Sequence, residues 1–505
     1  MTSFKVRVLP FSVDQMIATL KSEEAAKIGV DEGERVRVTY EERSSLALAS
    51  TPTDGVQSGT VLLSKKVADS LGATDGVNVD VVYSPPPLSV QAIRSAVQGR
   101  PLSKEMSYAI VNDVVAGSLS DAEMSAFIVS QAYRTVSMDE VENLTKAMAD
   151  SGQKLDFGRT VYDKHSIGGV PGNKVSLLIV PIIAAAGLLI PKTSSRSITS
   201  PSGTADTMEV LAPVDLDPTE FKRAALKAGG AIVWGGRLGL APADDIFIKR
   251  VEHPLSLDPA SQLLASVMSK KLAVGANYLV VDLPFGLGTK LETEDMVRDL
   301  ATRFIELGRR LGIYVTCGTT YGSQPVGHAV GSALEAKEAL EALGGMGPTS
   351  LIEKSTSLAG LLLEASGLAG RGLGKEMAIK ILQTGKALKK MREIIEAQGG
   401  NPNVKPGDIA VGSQRAKIES PADGYVVEVS NSAINSIAKA AGSPVDKGAG
   451  VLLHAKVGYS VKKGDPLLEI FSEHPTKLSE SLDLAQRLKP MTVEGMLLGR
   501  LPEVL

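Results

Sequence analysis

The chain has 505 residues, and at roughly 150 residues per domain that length predicts about three domains. Hydrophobic residues make up 43% and charged residues 22%, a globular balance that excludes long disorder. The 54 basic and 57 acidic residues leave a net charge of -3, which gives no footprint for a nucleic-acid binder. A single cysteine, Cys317, excludes an internal disulfide framework and a thiolate-rich metal site, and the five histidines are too scattered to read as a zinc site. The start, Met1-Thr2-Ser3-Phe4-Lys5, has no apolar run of the signal-peptide kind. The longest nearly apolar stretch, Val175 to Ile190, is broken by Ser176, Pro181 and Gly187 and falls short of the roughly 18–20 residues that span a bilayer. The expectation is a cytoplasmic protein without membrane or nucleic-acid partners, with that stretch as a buried helix.

Residues 1–84 repeat themselves. Ala25, Ile28, Gly29, Gly33, Val36 and Val38 match Ala68, Leu71, Gly72, Gly76, Val79 and Val81 at a constant offset of 43. Each copy reads as a short helix, a glycine stop and an alternating strand, which predicts a small pseudo-symmetric β-barrel of the double-psi kind serving oligomerisation. Pro85-Pro86-Pro87 then ends both helix and ladder. From 85 to 160 the pattern is helical, with capping-box spacing at Ser120–Glu123 and Ser137–Glu140, and residues 240–270 are expected to complete this domain. From 161 to 405 helices alternate with strands, as in an α/β domain. One helix starts at Asp217-Pro218 and stops at Gly229-Gly230 before the strand-like Ala231–Trp234. Another starts at Asp258-Pro259 and runs to about Ala273, before the strand-like Tyr278–Leu283. Residues 406–505 read as a barrel-sandwich-like α+β domain, from Ile418–Val427 and Val461–Leu468. The lysine hairpin usual between such halves is not recognisable, so a structural cap is expected there.

Three segments carry chemistry. Asp163-Lys164-His165-Ser166-Ile167-Gly168-Gly169-Val170-Pro171-Gly172-Asn173-Lys174 is a basic, glycine-rich loop feeding the apolar run. Glycines let backbone N–H groups approach an anion, and the next helix N-terminus adds about half a positive charge. An ordinary glycine turn is the alternative. Between Ser194 and Thr204 lie seven hydroxyls and one guanidinium, Arg196, in eleven residues. This is either a solvated linker or a second wall of an anion site. In the helix after Asp258, Gln262, Ser266 and Lys270 fall at helical spacing, as a polar stripe or as ligands, while Asp258 is an N-cap or more.

At these residues a resemblance enters. Asp163-Lys164-His165-Ser166-x-Gly168-Gly169, then Ser195-Arg196, Gly203-Thr204-x-Asp206-x-x-Glu209 and Ser266-x-x-x-Lys270-Lys271 resemble, in order, the motifs of the thymidine and pyrimidine nucleoside phosphorylases. The resemblance runs from about residue 90 to the C-terminus. Where those enzymes have glycines after the arginine, this chain has Ser197, Thr199, Ser200 and Ser202, and it carries the extra N-terminal domain. Both features are similar to the archaeal AMP phosphorylase branch.

The resemblance implies phosphorolysis of nucleoside 5′-monophosphates, AMP and phosphate giving adenine and ribose 1,5-bisphosphate, with CMP and UMP as further candidate substrates. It implies a helical and an α/β domain facing each other across a cleft, a homo-oligomer of two or more chains, and no metal or organic cofactor. Phosphate would meet Lys164, Ser166, Ser176, Ser194 and Thr204. Nucleotide would meet Gly169, Ser195, Arg196, Ser197, Ile198, Thr199, Ser200, Thr204, Ser266 and Lys290, with Arg250 and Lys270 as base-contacting positions. The spacing around Arg250 includes one extra residue. Asp258 resembles the proton donor, and His165 is the competing acid. An acid at Asp258 needs burial or a neighbouring carboxylate to raise its pKa, while a helix N-terminus works against that. A nucleoside phosphorylase acting on thymidine or uridine is the near alternative. A non-catalytic nucleotide-binding assembly module is the distant one.

Overall fold

The computed structural model describes residues 2–197 and 200–497. Two compact units are present: the N-terminal stretch to Gln153 with Leu240–Lys270, and Lys154–Gly239 with the chain from Lys271 onward. No helix among the described residues is long and apolar enough to cross a membrane.

The first strands, β1 (Thr2–Val8), β2 (Ile17–Thr19), β3 (Arg35–Tyr40), β4 (Arg43–Ser50), β5 (Thr60–Leu63) and β6 (Asn78–Ser84), close into a barrel of order β1-β5-β2-β4-β3-β6. Helices α1 (Ser22–Lys27) and α2 (Lys65–Leu71) precede β3 and β6. The sequence repeat is the symmetry of the barrel. Val38 faces Val81 across β3 and β6, and Thr19 faces Leu62 across β2 and β5, each residue opposite its own equivalent. Phe4, Val6, Val36, Val38, Val79 and Val81 fill the interior.

Helices α3 (Leu88–Val97), α4 (Lys104–Ala116), α5 (Asp121–Tyr133) and α6 (Met138–Asp150) follow. Ser120 with Glu123 and Ser137 with Glu140 form the two expected capping boxes. Glu123 does double work. It also takes both Arg35 guanidinium nitrogens, at 3.0 and 2.7 Å, and so ties the barrel to α5 through a largely buried ion pair.

The second unit opens with β7 (Tyr162–Ser166), α7 (Ser176–Ala185), β8 (Ile190–Ser194), α8 (Thr204–Glu209), α9 (Pro218–Ala228), β9 (Gly230–Trp234) and α10 (Gly235–Leu238). Helix α7 is apolar on every face and buried from Ser176 to Ala184. Asp217 caps α9 and Gly229 ends it in the left-handed region, as read from the sequence. The chain returns to the first unit for α11 (Pro242–Phe247), a π-helical turn (Ile248–Glu252), α12 (His253–Leu255) and α13 (Ala260–Ala273), whose last residues belong to the second unit.

Then come β10 (Tyr278–Phe285), α14 (Glu294–Leu311), β11 (Tyr314–Tyr321), β12 (Ala329–Val330), α15 (Ser332–Leu343), α16 (Thr349–Ala365), α17 (Gly374–Gln383) and α18 (Lys386–Ala397). Strands β11-β10-β7 form a parallel sheet and β8-β9 a parallel pair, with a single bridge between Val161 and Leu189. The C-terminal domain holds β13 (Gln414–Glu419), β14 (Gly424–Val429), α19 (Asn431–Ala440), β15 (Gly450–Leu453), β16 (Ser460–Val461), β17 (Pro466–Ser472), α20 (Pro475–Leu488) and β18 (Met491–Glu494). Strand β12 pairs with β15, which joins this domain to the α/β domain.

Candidate functional site

Ligands of open α/β sheets gather at the carboxyl ends of parallel strands. Here Ser166 ends β7, in register with Asp282 of β10, which is in turn in register with Gly318 of β11. Asp282 is fully buried. Its carboxylate accepts from the Ser166 hydroxyl at 2.6 Å, the Thr320 hydroxyl at 2.5 Å and the Asn173 amide at 3.4 Å, and lies 3.2 Å from the Lys354 ammonium. Lys164 donates to the same Ser166 hydroxyl. One strand position earlier, Asp163 binds the Lys271 ammonium at 2.6 Å. Alternation along β7 puts Lys164 and Ser166 on one face and His165 on the other.

Asp282 is the residue that sequence reading missed, because Tyr278–Leu283 reads as an ordinary core strand. A lone carboxylate inside a fully buried strand was the available signal. Burial alone would lift its pKa, but the charges of Lys354 and Lys164 and the Ser166 and Thr320 hydroxyls outweigh that and hold it below the usual carboxylate range. Lys164 moves the other way. Desolvation, with Lys354 and Lys271 nearby, outweighs Asp282 and Asp163 and pushes it down to about 7. Burial also drives Lys192 well below the usual lysine range, with Lys271 adding to it.

The hydroxyl-rich loop behaves differently. Sequence reading left Arg196 as a donor awaiting an anion, but its guanidinium meets Glu209 at 2.6 and 2.8 Å and Asp206 at 3.2 Å, stacked 5.1 Å over Trp234. Lys447 of the C-terminal domain adds a bond to Glu209 at 2.7 Å. The Arg196 hydrogen bonds, with help from Lys447, hold Glu209 down at about 2. The hydroxyls largely serve the loop itself: Ser194 donates to the Ser195 carbonyl, Ser197 to that of Ser200, and Ser200 to that of Ser202. Asp206 accepts from the Ser197 and Gly203 N–H groups. A Cβ at Gly203 would lie 2.6 Å from the Ser195 carbonyl, so only glycine lets α8 start against this backbone. Ser195 is exposed, and Ile198 and Thr199 lie outside the described residues. Thr204 opens α8 and Ser176 opens α7.

Gly169 (φ 109°) stands beside exposed Lys290, a Cβ there lying 3.7 Å from the Lys290 stem. Its carbonyl accepts from Asn435 of α19 at 3.3 Å. Asn435 and Lys447 therefore carry the C-terminal domain to both loops, beyond the cap read from the sequence.

In the first unit, the polar stripe of α13 is not a solvated face. Gln262 is fully buried, Ser266 donates to Asp244 at 2.8 Å, and Lys270 pairs with Asp244 at 2.8 Å and Asp245 at 3.0 Å. Burial pulls the Lys270 ammonium down, but these carboxylates outweigh it and hold its pKa above the usual lysine range. Arg250 reaches Asp121 at 2.5 Å from within the π-helical turn, a geometry that accommodates an extra residue in a helix. Helix α13 starts at Ala260, two residues after Asp258, and the Pro259 carbonyl accepts a bond from the Leu263 N–H. Asp258 is exposed, and Glu252 is its neighbour. Desolvation, with the charges of Asp244 and Asp258, pushes Glu252 up to about 8. Among metal-ligating types, the described residues bring Asp446, Glu473 and His474 together within 4.8 Å, with Lys477 already on Asp446.

Comparison with known proteins follows these lines. Residues 90–152 match the helical bundle domain of the glycosyl transferase family, 158–388 its a/b domain, and 425–490 the pyrimidine nucleoside phosphorylase C-terminal domain. An anthranilate phosphoribosyltransferase from Thermus thermophilus shares the fold, with TM-score 0.52 and 19% identity over 61% of this chain and 99% of that one. The domain set is thus that of a glycosyl transferase. AMP phosphorylase 1 of Archaeoglobus fulgidus is 50% identical over 497 residues, 98% of either chain. The AMP phosphorylase of Thermococcus kodakarensis is 48% identical over 505 residues, 99% of either chain. The chain belongs to the AMP phosphorylase family.

Proposed function

We propose that the chain is an AMP phosphorylase, a pentosyltransferase that converts AMP and phosphate to adenine and ribose 1,5-bisphosphate. The observation that carries this reading, beside near-full-length relatives of that name, is the cluster of buried cations at the ends of β7 and β10. Lys164, Ser166, Ser176, Ser194 and Thr204 hold phosphate for attack on C1′ of the ribose. The segment Ser195–Ser200, with Gly169, Thr204, Ser266 and Lys290, holds the nucleotide, and Arg250 and Lys270 face the base. As the glycosidic bond breaks, the base leaves with negative charge and needs a proton. Asp258 supplies it. CMP and UMP are further substrates, and the enzyme works in the cytoplasm as a homo-oligomer.

Base release from AMP, CMP, UMP and the matching nucleosides, with and without phosphate, tests the reading. Release that depends on phosphate and prefers AMP is expected. Preference for thymidine or uridine makes the chain a nucleoside phosphorylase, and no release from any of them makes it a binding module. Asp258→Asn should lower kcat by about 100-fold at similar KM; if His165→Asn shows that loss instead, the acid is His165. Light scattering on the full chain reads the oligomer. Deleting the barrel is a poor route to it, because Glu123 would lose Arg35.

A further inference from the structure

Buried lysines in this molecule fall into two groups. Lys174 and Lys456 are structural: Lys174 donates to the Val326 and Ala329 carbonyls at 3.1 and 2.9 Å and to Glu338, and Lys456 donates to the Pro325 and Gly327 carbonyls. An ammonium has three donors; Lys174 spends all three on fixed acceptors and Lys456 two. Lys354 does not. It sits on the buried face of α16 with Leu351, Ser355 and Leu358, 6% exposed, where α16 packs on β10, β11 and α7. Its ammonium lies 3.2 Å from Asp282 and makes no hydrogen bond among the described residues. Desolvating an ammonium costs several kcal/mol, and a single carboxylate contact leaves most of its donor capacity unused.

The composition around it points the same way. Four lysine amines, Lys164, Lys192, Lys271 and Lys354, are buried with only two carboxylates, Asp163 and Asp282, and burial drives Lys164 and Lys192 toward their neutral forms. A dianion restores the balance.

We propose that Lys354 is a ligand of the inorganic phosphate, joining Lys164 and Ser166, and that Asp282 is the positioning residue that holds the Lys354 ammonium and the Ser166 hydroxyl at the phosphate. The proposal rests on the phosphorolytic reading above and extends it to a residue outside the family motifs. The Ser166 hydroxyl has one proton, which now goes to Asp282 and turns to phosphate when it binds, whereas the Lys354 ammonium has three donors and can keep Asp282 and phosphate together.

The test is calorimetric titration of inorganic phosphate into the full-length protein without nucleotide, together with KM for phosphate and for AMP. Lys354→Met should weaken phosphate binding about 10- to 100-fold and change the AMP KM far less, with Lys354→Arg in between. Lys354→Met also strips Asp282 of a cation, so the double variant Lys354→Met/Asp282→Asn is measured beside it. Phosphate affinity should stay weak there. Recovery to the native value overturns the proposal, because Lys354 would then only neutralise Asp282. A rise in the AMP KM with phosphate affinity intact also overturns it, since the cation would serve the nucleotide's phosphate. Phosphate binding by the native chain without turnover of AMP sinks the activity assignment and leaves the lysine standing. Failure of the native chain to bind phosphate sinks both.

Discussion

Strands β7 and β8 each carry a cation-bearing segment at the carboxyl end, and the two segments manage charge in opposite ways. Around β7 the ammoniums outnumber the carboxylates, all of them are buried, and Lys164 responds by holding its proton only up to about 7. Beyond β8 the cations Arg196 and Lys447 face Asp206 and Glu209 in equal number, all but the buried Asp206 partly open to solvent, and every charge has an opposite neighbour. Both segments read as donor-rich loops in the sequence. The difference is that one site is short of negative charge and the other must give up a partner before it takes an anion.

Breaking a pair on each side gives the largest contrast. Lys271→Met leaves Asp163 charged and buried, so it should cost about 3–5 kcal/mol of stability. Lys447→Met, in a partly exposed pair, should cost about 1 kcal/mol or less. Denaturant midpoints measure both, and equal losses would erase the distinction. Next comes function at the β7 end. Ser166→Ala should raise the phosphate KM by the equivalent of about 1–3 kcal/mol, while Ser200→Ala, whose hydroxyl serves its own loop, should leave it unchanged.

A smaller effect is expected at Arg196, because its guanidinium exchanges Glu209 for the 5′-phosphate and nets only part of a charge-assisted bond. Arg196→Ala should cost about 1–2 kcal/mol in kcat/KM for AMP and little for adenosine. Glu209→Gln, which removes the competitor, should lower the AMP KM; equal damage to AMP and adenosine in the arginine variant would assign Arg196 to the loop alone. The smallest signal is a proton. With Lys164 at about 7, a bound dianion raises its pKa, so binding at pH 8 takes up part of a proton. Sulfate, which does not titrate there, is the probe. Calorimetry in buffers of different ionisation heat reads the uptake, and Lys164→Met should abolish it.

Much of this architecture was legible beforehand. The offset repeat predicted the barrel, capping residues marked α5, α6 and α9, and the glycine loop pointed to β7, because these signals are local. What escaped was long-range. Asp282 and Lys354 are separated by 72 positions and meet only when α16 packs on β10. Lys447 and Asn435 reach the loops from a domain that spacing alone treats as separate. Arg196 was seen, but not that Glu209, on the next helix, had already claimed it. The helix read from Asp258-Pro259 starts one residue later, at Ala260, since a proline fits both the first turn and the position before it.

The barrel's pairing has a consequence for how the chain comes off the ribosome. Strand β1 finds its hydrogen-bond partners in β5 and β6, and β2 pairs with β4 and β5, so the two repeats are interleaved. Neither repeat can close by itself: β1 waits, with unpaired edges, for β5 and then β6, which ends at Ser84.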